Sequence, residues 1–283
     1  MKKYKIAITL TLLFALCVNV FGQNKLYPFE VQKTGNGKQA VIFIPGFACS
    51  GEVWKETKSH FEQDYVCYRL TMAGFAGAKP QENATFESWE KAIVQYIQDN
   101  KIEKPIIIGH SMGGGLALAI ASDYPNLPSK IVVVDALPCL LAMTDPAFKS
   151  KENNDCSPIV KQLIGMTDKQ FYEMQKNTMP RLLSNTAMLE TVVNWSVKSD
   201  RKTFAEMYCD FSNTDLREKI KNIKCPSLIL LESYFKNFKP AVEDQYKNLK
   251  GGELQYADKG LHFIMYDDKE WFFSQLNNFL AKK

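Results

Sequence analysis

The sequence predicts an α/β protein, a mostly parallel sheet with helices on both faces and a helical lid inserted before the last strands. Three observations predict it. Residues 105–108 and 131–134 are short, wholly apolar runs, and 227–231 is apolar after Ser227, the character of strands buried on both faces of a parallel sheet. Segments with helical apolar spacing alternate with these runs, the pattern of βαβ units. Between two of the core strands, residues 138–222 or so hold no buried-strand run and are rich in Met, Leu and aromatics. The chain leaves the sheet there and returns to it, so residues 23–283 read as one domain with an insertion.

Residues 1–22 read as an address. Lys2, Lys3 and Lys5 precede an uncharged, almost wholly apolar run from 6 to 21, and Val20 and Gly22 suit signal peptidase cleavage after Gly22. The run is shorter than the roughly 20 residues that span a bilayer, so no stable membrane anchor is expected. An uncleaved N-terminal anchor is the alternative. A lipid anchor on Cys17 is disfavoured by the bulky Leu16 before it. Export to a periplasm or to the exterior follows.

The mature elements come in order. Residues 29–33 and 40–44 look like strands, and Gly35-Asn36-Gly37 between them carries the Asn-Gly signal of a hairpin. Residues 53–63 are helix-like and 65–70 form a third strand. Residues 86–98 place Trp89, Ile93, Tyr96 and Ile97 at helical spacing. The strand at 105–108, a helix over 116–121 and the strand at 131–134 follow. After the insertion come strands at 227–231 and 253–256. A last helix, 271–280, lines up Phe272, Leu276, Phe279 and Leu280 on one face.

Composition narrows the function. The formal charge is +4, and loss of the three leader lysines brings the mature chain close to neutral. A nucleic-acid binder needs a concentrated basic surface, so that class is excluded. With three His and no Cys-x-x-Cys pair, a zinc cluster is not indicated and no cofactor is implied. Six cysteines follow the leader, and an oxidising compartment permits disulfides among them. Cys139 with Cys156 is the pair expected first, both lying in one loop-rich stretch; the other reading is buried free thiols.

The chemistry lies in Gly109-His110-Ser111-Met112-Gly113. This Gly-x-Ser-x-Gly pattern follows a buried strand and opens a helix, the strand–turn–helix that lifts a serine onto a sharp turn. A serine hydroxyl needs a base. Of the three histidines, His110 adjoins Ser111 too closely to reach back to it, and His60 sits on an early helix facing solvent. His262, just past the last strand, returns to the carboxyl edge of the sheet. The oxyanion needs fixed N–H donors. The Met112 amide at a helix N-terminus is one, and the Phe47 amide in Pro45-Gly46-Phe47 is the second.

These residues resemble the α/β-hydrolase superfamily. The resemblance rests on Pro45-Gly46-Phe47, Ala73-Gly74-Phe75-Ala76-Gly77, the Gly109–Gly113 elbow, the lid, Cys225-Pro226 before a late strand, and His262, in the order Ser, acid, His. It implies the α/β-hydrolase fold, a Ser–His–acid triad and hydrolysis through an acyl-enzyme. It does not imply one substrate. The acid departs from the commonest pattern, because no Asp follows the strand 227–231. Asp135, at the end of the preceding core strand, holds the family's alternative position; Glu232, Asp200 and Asp210 are its rivals. With Ser111 at the elbow, the carboxylate-nucleophile relatives (haloalkane dehalogenases, epoxide hydrolases) are ruled out. Esters, thioesters, lactones and amides remain as substrates. The alternatives are a cofactor-free haloperoxidase or perhydrolase on the same triad, and a ligand-binding homologue without turnover. The lid carries Met143, Met166, Phe171, Met174, Met179, Leu182, Leu183, Met188 and Trp195, which suits a small-molecule substrate with an apolar acyl or alkyl group.

Overall fold

A computed structural model describes residues 26–282; the expected leader and its cleavage point lie outside them. Seven strands form one sheet: β1 (Phe29–Thr34), β2 (Gln39–Ile44), β3 (Tyr65–Met72), β4 (Ile106–His110), β5 (Lys130–Val134), β6 (Ser227–Leu231) and β7 (Gly252–Tyr256). Their spatial order is β1-β3-β2-β4-β5-β6-β7. Every pair is parallel except β1 with β3.

The central strands are apolar throughout because both faces are covered. Successive side chains point to opposite faces. Ile42, Ile44, Ile107, Ile131, Val133 and Ile229 therefore enter one core, and Val41, Phe43, Ile106, Ile108, Val132 and Leu230 the other. The first face is covered by α2 (Phe86–Asp99), α3 (Met112–Asp123) and α8 (Lys239–Tyr246), the second by α1 (Lys55–Phe61) and α10 (Lys269–Ala281). A short helix, α9 (Ile264–Asp267), precedes α10. Between β5 and β6 lie four inserted helices: α4 (Ser157–Ile164), α5 (Asp168–Thr178), α6 (Thr186–Val197) and α7 (Arg201–Ser212). Among the described residues no helix is long and apolar enough to cross a membrane.

Two expectations are corrected. β1 and β2 do not form a hairpin; β3 lies between them, pairing antiparallel with β1 and parallel with β2. The Gly35-Asn36-Gly37 stretch instead lets the chain squeeze past the start of β3. A Cβ on Gly35, whose φ is +84°, would fall 2.2 Å from the Tyr65 carbonyl oxygen. The expected Cys139–Cys156 pair is not formed either. Cys156, at the start of α4, bonds Cys209 of α7, because those helices pack together. Cys139 is a buried free thiol, and its backbone N–H donates to Gln245 Oε1 of α8 at 3.1 Å.

Candidate active site

Register brings the chemistry to one edge. Ile44 pairs with Gly109, His110 with Val134, Val134 with Leu230, and Leu231 with Tyr256, so five parallel strands end nearly level. The residues just beyond those ends share the crevice outside the carboxyl edge, where open α/β sheets place their ligands. Ser111 follows β4, Asp135 follows β5, Glu232 follows β6, and the loop beyond β7 carries His262.

The elbow at Ser111 is strained in the way its motif demands. Ser111 has φ 53° and ψ −124°, a left-sided conformation that a non-glycine residue holds only when its surroundings impose it. Its N–H donates to the Val134 carbonyl at 2.8 Å. Gly113 must lack a side chain, because a Cβ there would lie 2.4 Å from the Ile44 carbonyl oxygen and 2.5 Å from that of Pro45. The loop after β2 is pressed against the elbow in turn. A Cβ on Gly46 would meet Ser111 Cβ at 3.2 Å and His110 Nδ1 at 2.6 Å. The backbone N–H groups of Phe47 and Met112 meet no acceptor among the described residues. Met112 is the first residue of α3, where backbone donors are unpaired and the helix dipole favours negative charge.

Asp135 is held at φ 49° with its side chain 2% exposed. Its Oδ2 lies 2.6 Å from His262 Nδ1, and its Oδ1 accepts the Glu232 backbone N–H at 2.6 Å. The second bond fixes the carboxylate so that the first can orient the imidazole. Nδ1 therefore carries the proton, and Nε2 is the ring's acceptor. Burial works against the charged imidazole, but the Asp135 hydrogen bond and charge, with Glu232 behind them, outweigh it and raise the His262 pKa above its usual value. The His262 side chain keeps 21% of its surface open, and the ring borders the same cavity as Ser111.

The rival acids fall in different places. Glu232 borders the cavity; burial and then the Asp135 charge push its carboxyl up to about 7, with His262 pulling the other way. Asp200 caps α7 through a bond from the Thr203 N–H, and Asp210 accepts the Phe86 N–H at 2.7 Å. Both are occupied in holding helices. His60 is exposed and bonds Asn277.

His110 carries a part that the sequence reasoning missed. Its Nε2–H donates to the His262 carbonyl at 2.9 Å, and its ring packs on His262 and Phe263 at 4.6 and 4.8 Å between centroids. Burial, then the neighbouring His262, holds it well below the usual histidine value. It is a neutral brace under the histidine loop. Only its adjacency to Ser111 at the strand end signalled this.

The cavity measures about 550 Å³, within the range of small-molecule sites. The inserted helices line it with Ile159 and Leu163 of α4, Met174 and Gln175 of α5, and Phe204 and Tyr208 of α7. Met179 and Leu182 also reach it, whereas Met143, Met166, Met188 and Trp195 pack against the core clusters. Cys49 borders the cavity, but burial pushes its thiol up to about 12, so it is no thiolate at neutral pH.

A doubly wound sheet with a strained serine elbow, a carboxylate-held histidine and a covered apolar cavity at one edge defines an α/β hydrolase. The model of the alpha/beta hydrolase fold matches residues 39–269, and the chain belongs to that family. It is 23% identical over 203 residues, 71% of this chain and 76% of that protein, to the pimeloyl-[acyl-carrier protein] methyl ester esterase of Wigglesworthia glossinidia brevipalpis. It is 22% identical over 243 residues to the karrikin insensitive 2 receptor CA of Petunia hybrida, covering 80% of this chain and 85% of the receptor. In fold it resembles the enol-lactonase of Burkholderia xenovorans, with a TM-score of 0.74 at 15% identity over 90% of this chain and 96% of that one.

Proposed function

We propose that this protein is an exported serine hydrolase that cleaves a carboxylic ester through an acyl-enzyme on Ser111. Ser111 Oγ attacks the ester carbonyl while His262 Nε2 takes its proton. Asp135 holds the tautomer that makes this transfer available and stabilises the imidazolium that forms. The amides of Phe47 and Met112 receive the oxyanion. The imidazolium returns the proton to the departing alcohol. Water, deprotonated by the same nitrogen, then releases the acid and restores Ser111.

One observation carries the reading: the 2.6 Å contact of His262 Nδ1 with buried Asp135, which leaves Nε2 for a serine on the same cavity. The names of the relatives, an esterase and a lactonase among them, support the reaction class. The Cys156–Cys209 bridge supports export, since disulfides persist in oxidising compartments.

The test uses p-nitrophenyl esters of graded chain length and a fluorophosphonate probe. Wild type gives a burst of nitrophenol and labels on Ser111. Ser111→Ala and His262→Ala each lose about a millionfold in kcat. A Ser111→Ala enzyme that keeps most of its turnover refutes the mechanism. Binding without a burst would point to a ligand receptor, as the petunia relative is named.

A further inference from the structure

The inner face of α5 carries an anomaly. Phe171, Met174, Gln175 and Thr178 recur at helical spacing. Phe171 is fully buried and packs edge-to-face on Phe204, which packs edge-to-face on Phe47 of the loop after β2, at 5.3 and 4.5 Å. Gln175, one turn beyond Phe171, occupies a place where an apolar side chain would extend this aromatic cluster. It is 7% exposed and borders the cavity. No described residue hydrogen-bonds its amide.

Ser196 of α6 repeats the pattern. It is 4% exposed, borders the same cavity and has no side-chain partner among the described residues. Its neighbour Ser199, equally buried, donates to the Trp195 carbonyl at 3.0 Å. Gln245 Nε2 and Ser122 Oγ, also unbonded, are sealed in packed protein and their residues do not border this cavity, whereas polar atoms of Gln175 and Ser196 are open to it. A ligand that fills the cavity displaces the water these atoms can reach, so it must supply the hydrogen bond itself or forfeit about 1–3 kcal/mol.

We propose that Gln175, seconded by Ser196, is a polar subsite for a neutral hydrogen-bonding group, such as a ketone, amide or hydroxyl, carried by the substrate away from its scissile ester. This rests on the esterase reading and narrows its substrate class. The lining disfavours an anionic group. Among the described residues no Lys or Arg borders the cavity, while Asp135 and Glu232 do, so an anionic substituent would enter without a counter-charge. The amide both donates and accepts, so it takes any of the three groups. A purely apolar chain would leave it unpaired, and sites with unpaired polar groups reject such analogues.

The experiment uses two matched ester series. In one, a keto group is moved one carbon at a time along the acyl arm of p-nitrophenyl octanoate; in the other, along the alcohol arm of octyl acetate, followed by acid release. In wild type, kcat/KM peaks at one keto position in one series, about tenfold or more above the unsubstituted parent. The arm that peaks tells which half of the ester reaches α5. Gln175→Leu flattens the peak, chiefly through KM, because the amide that pairs with the keto group is gone. Ser196→Ala lowers the peak partway. A flat profile in wild type, or a peak that survives in Gln175→Leu, overturns the subsite while esterase activity stands. Absence of Ser111-dependent hydrolysis in every ester overturns the esterase reading, and the subsite with it.

Discussion

Replacing Asp135 by Asn tests the site at its most constrained point. Oδ1 already accepts the Glu232 N–H at 2.6 Å, so the carboxamide oxygen keeps that bond and its NH₂ must face His262 Nδ1. An NH₂ group cannot accept the Nδ1 proton. The imidazole then moves its proton to Nε2, the nitrogen that has to take one from Ser111. The imidazolium also loses a buried counter-charge whose bond is worth about 1.5–3 kcal/mol in stability. Together the wrong tautomer and the lost charge should lower kcat about ten-thousandfold, or about 5.5 kcal/mol of barrier, with the fold kept. The pH profile supplies a second reading. In the proposed mechanism neutral His262 is the base, and its pKa is raised by Asp135 and Glu232 against burial. The acid limb of kcat/KM in wild type should lie above the ordinary histidine value. Removing either carboxylate charge moves the limb to lower pH. Stopped-flow and pH-dependent p-nitrophenyl butyrate hydrolysis measure both. The assignment is refuted if Asp135→Asn keeps a tenth of wild-type kcat, or if Glu232→Gln loses more than Asp135→Asn.

Three further perturbations follow from the fold. Glu90 on α2 is 4% exposed, and burial, followed by the charge of Asp123, pushes it up to about 7. A carboxyl raised in the folded state weakens folding as pH climbs from about 4.5 to 7, because the native chain holds a proton that the unfolded chain has released. Glu90→Gln should therefore leave stability unchanged near pH 4 and add about 3 kcal/mol near pH 8, read from urea midpoints; equal shifts at both would contradict it. The Cys156–Cys209 bridge spans a sequence separation of 53 residues, so Cys209→Ser should cost about 2–4 kcal/mol and raise KM, since α4 and α7 both line the cavity. Calorimetry with and without reductant gives the same number in wild type. Gly113→Ala drives a Cβ into the carbonyls of Ile44 and Pro45, displacing the loop after β2 that carries the proposed oxyanion donor Phe47. A loss of about a hundredfold in kcat with unchanged circular dichroism is expected.

Local pattern revealed the core of this chain because a strand covered on both faces has to be apolar throughout. The runs within β4, β5 and β6 are unbroken and cannot be mistaken for surface strands. The elbow was equally legible, since its strained turn admits few residue types and sits between a strand and a helix. Helix α8 escaped notice: only Val242, Gln245 and Tyr246 of its eight residues are buried, too few for a clear apolar stripe. The Asn-Gly signal misled because a local turn preference is worth less than a place for β3 between two strands.

The strained elbow at Ser111 and the alternating architecture were thus determined by the amino-acid order itself, through burial periodicity and one stereochemically restrictive motif, which also made His262 a candidate. Tertiary structure alone decided which carboxylate meets the imidazole. Asp135 and Glu232 both end core strands at the same edge, and only the bond from the Glu232 amide to Oδ1 turns the Asp135 carboxylate to Nδ1. It also decided the cysteine partner of Cys156, the brace made by His110 and the unbonded amide of Gln175. Each of these depends on distances between residues far apart in the chain, set by how helices pack over a sheet and not by any nearest-neighbour preference.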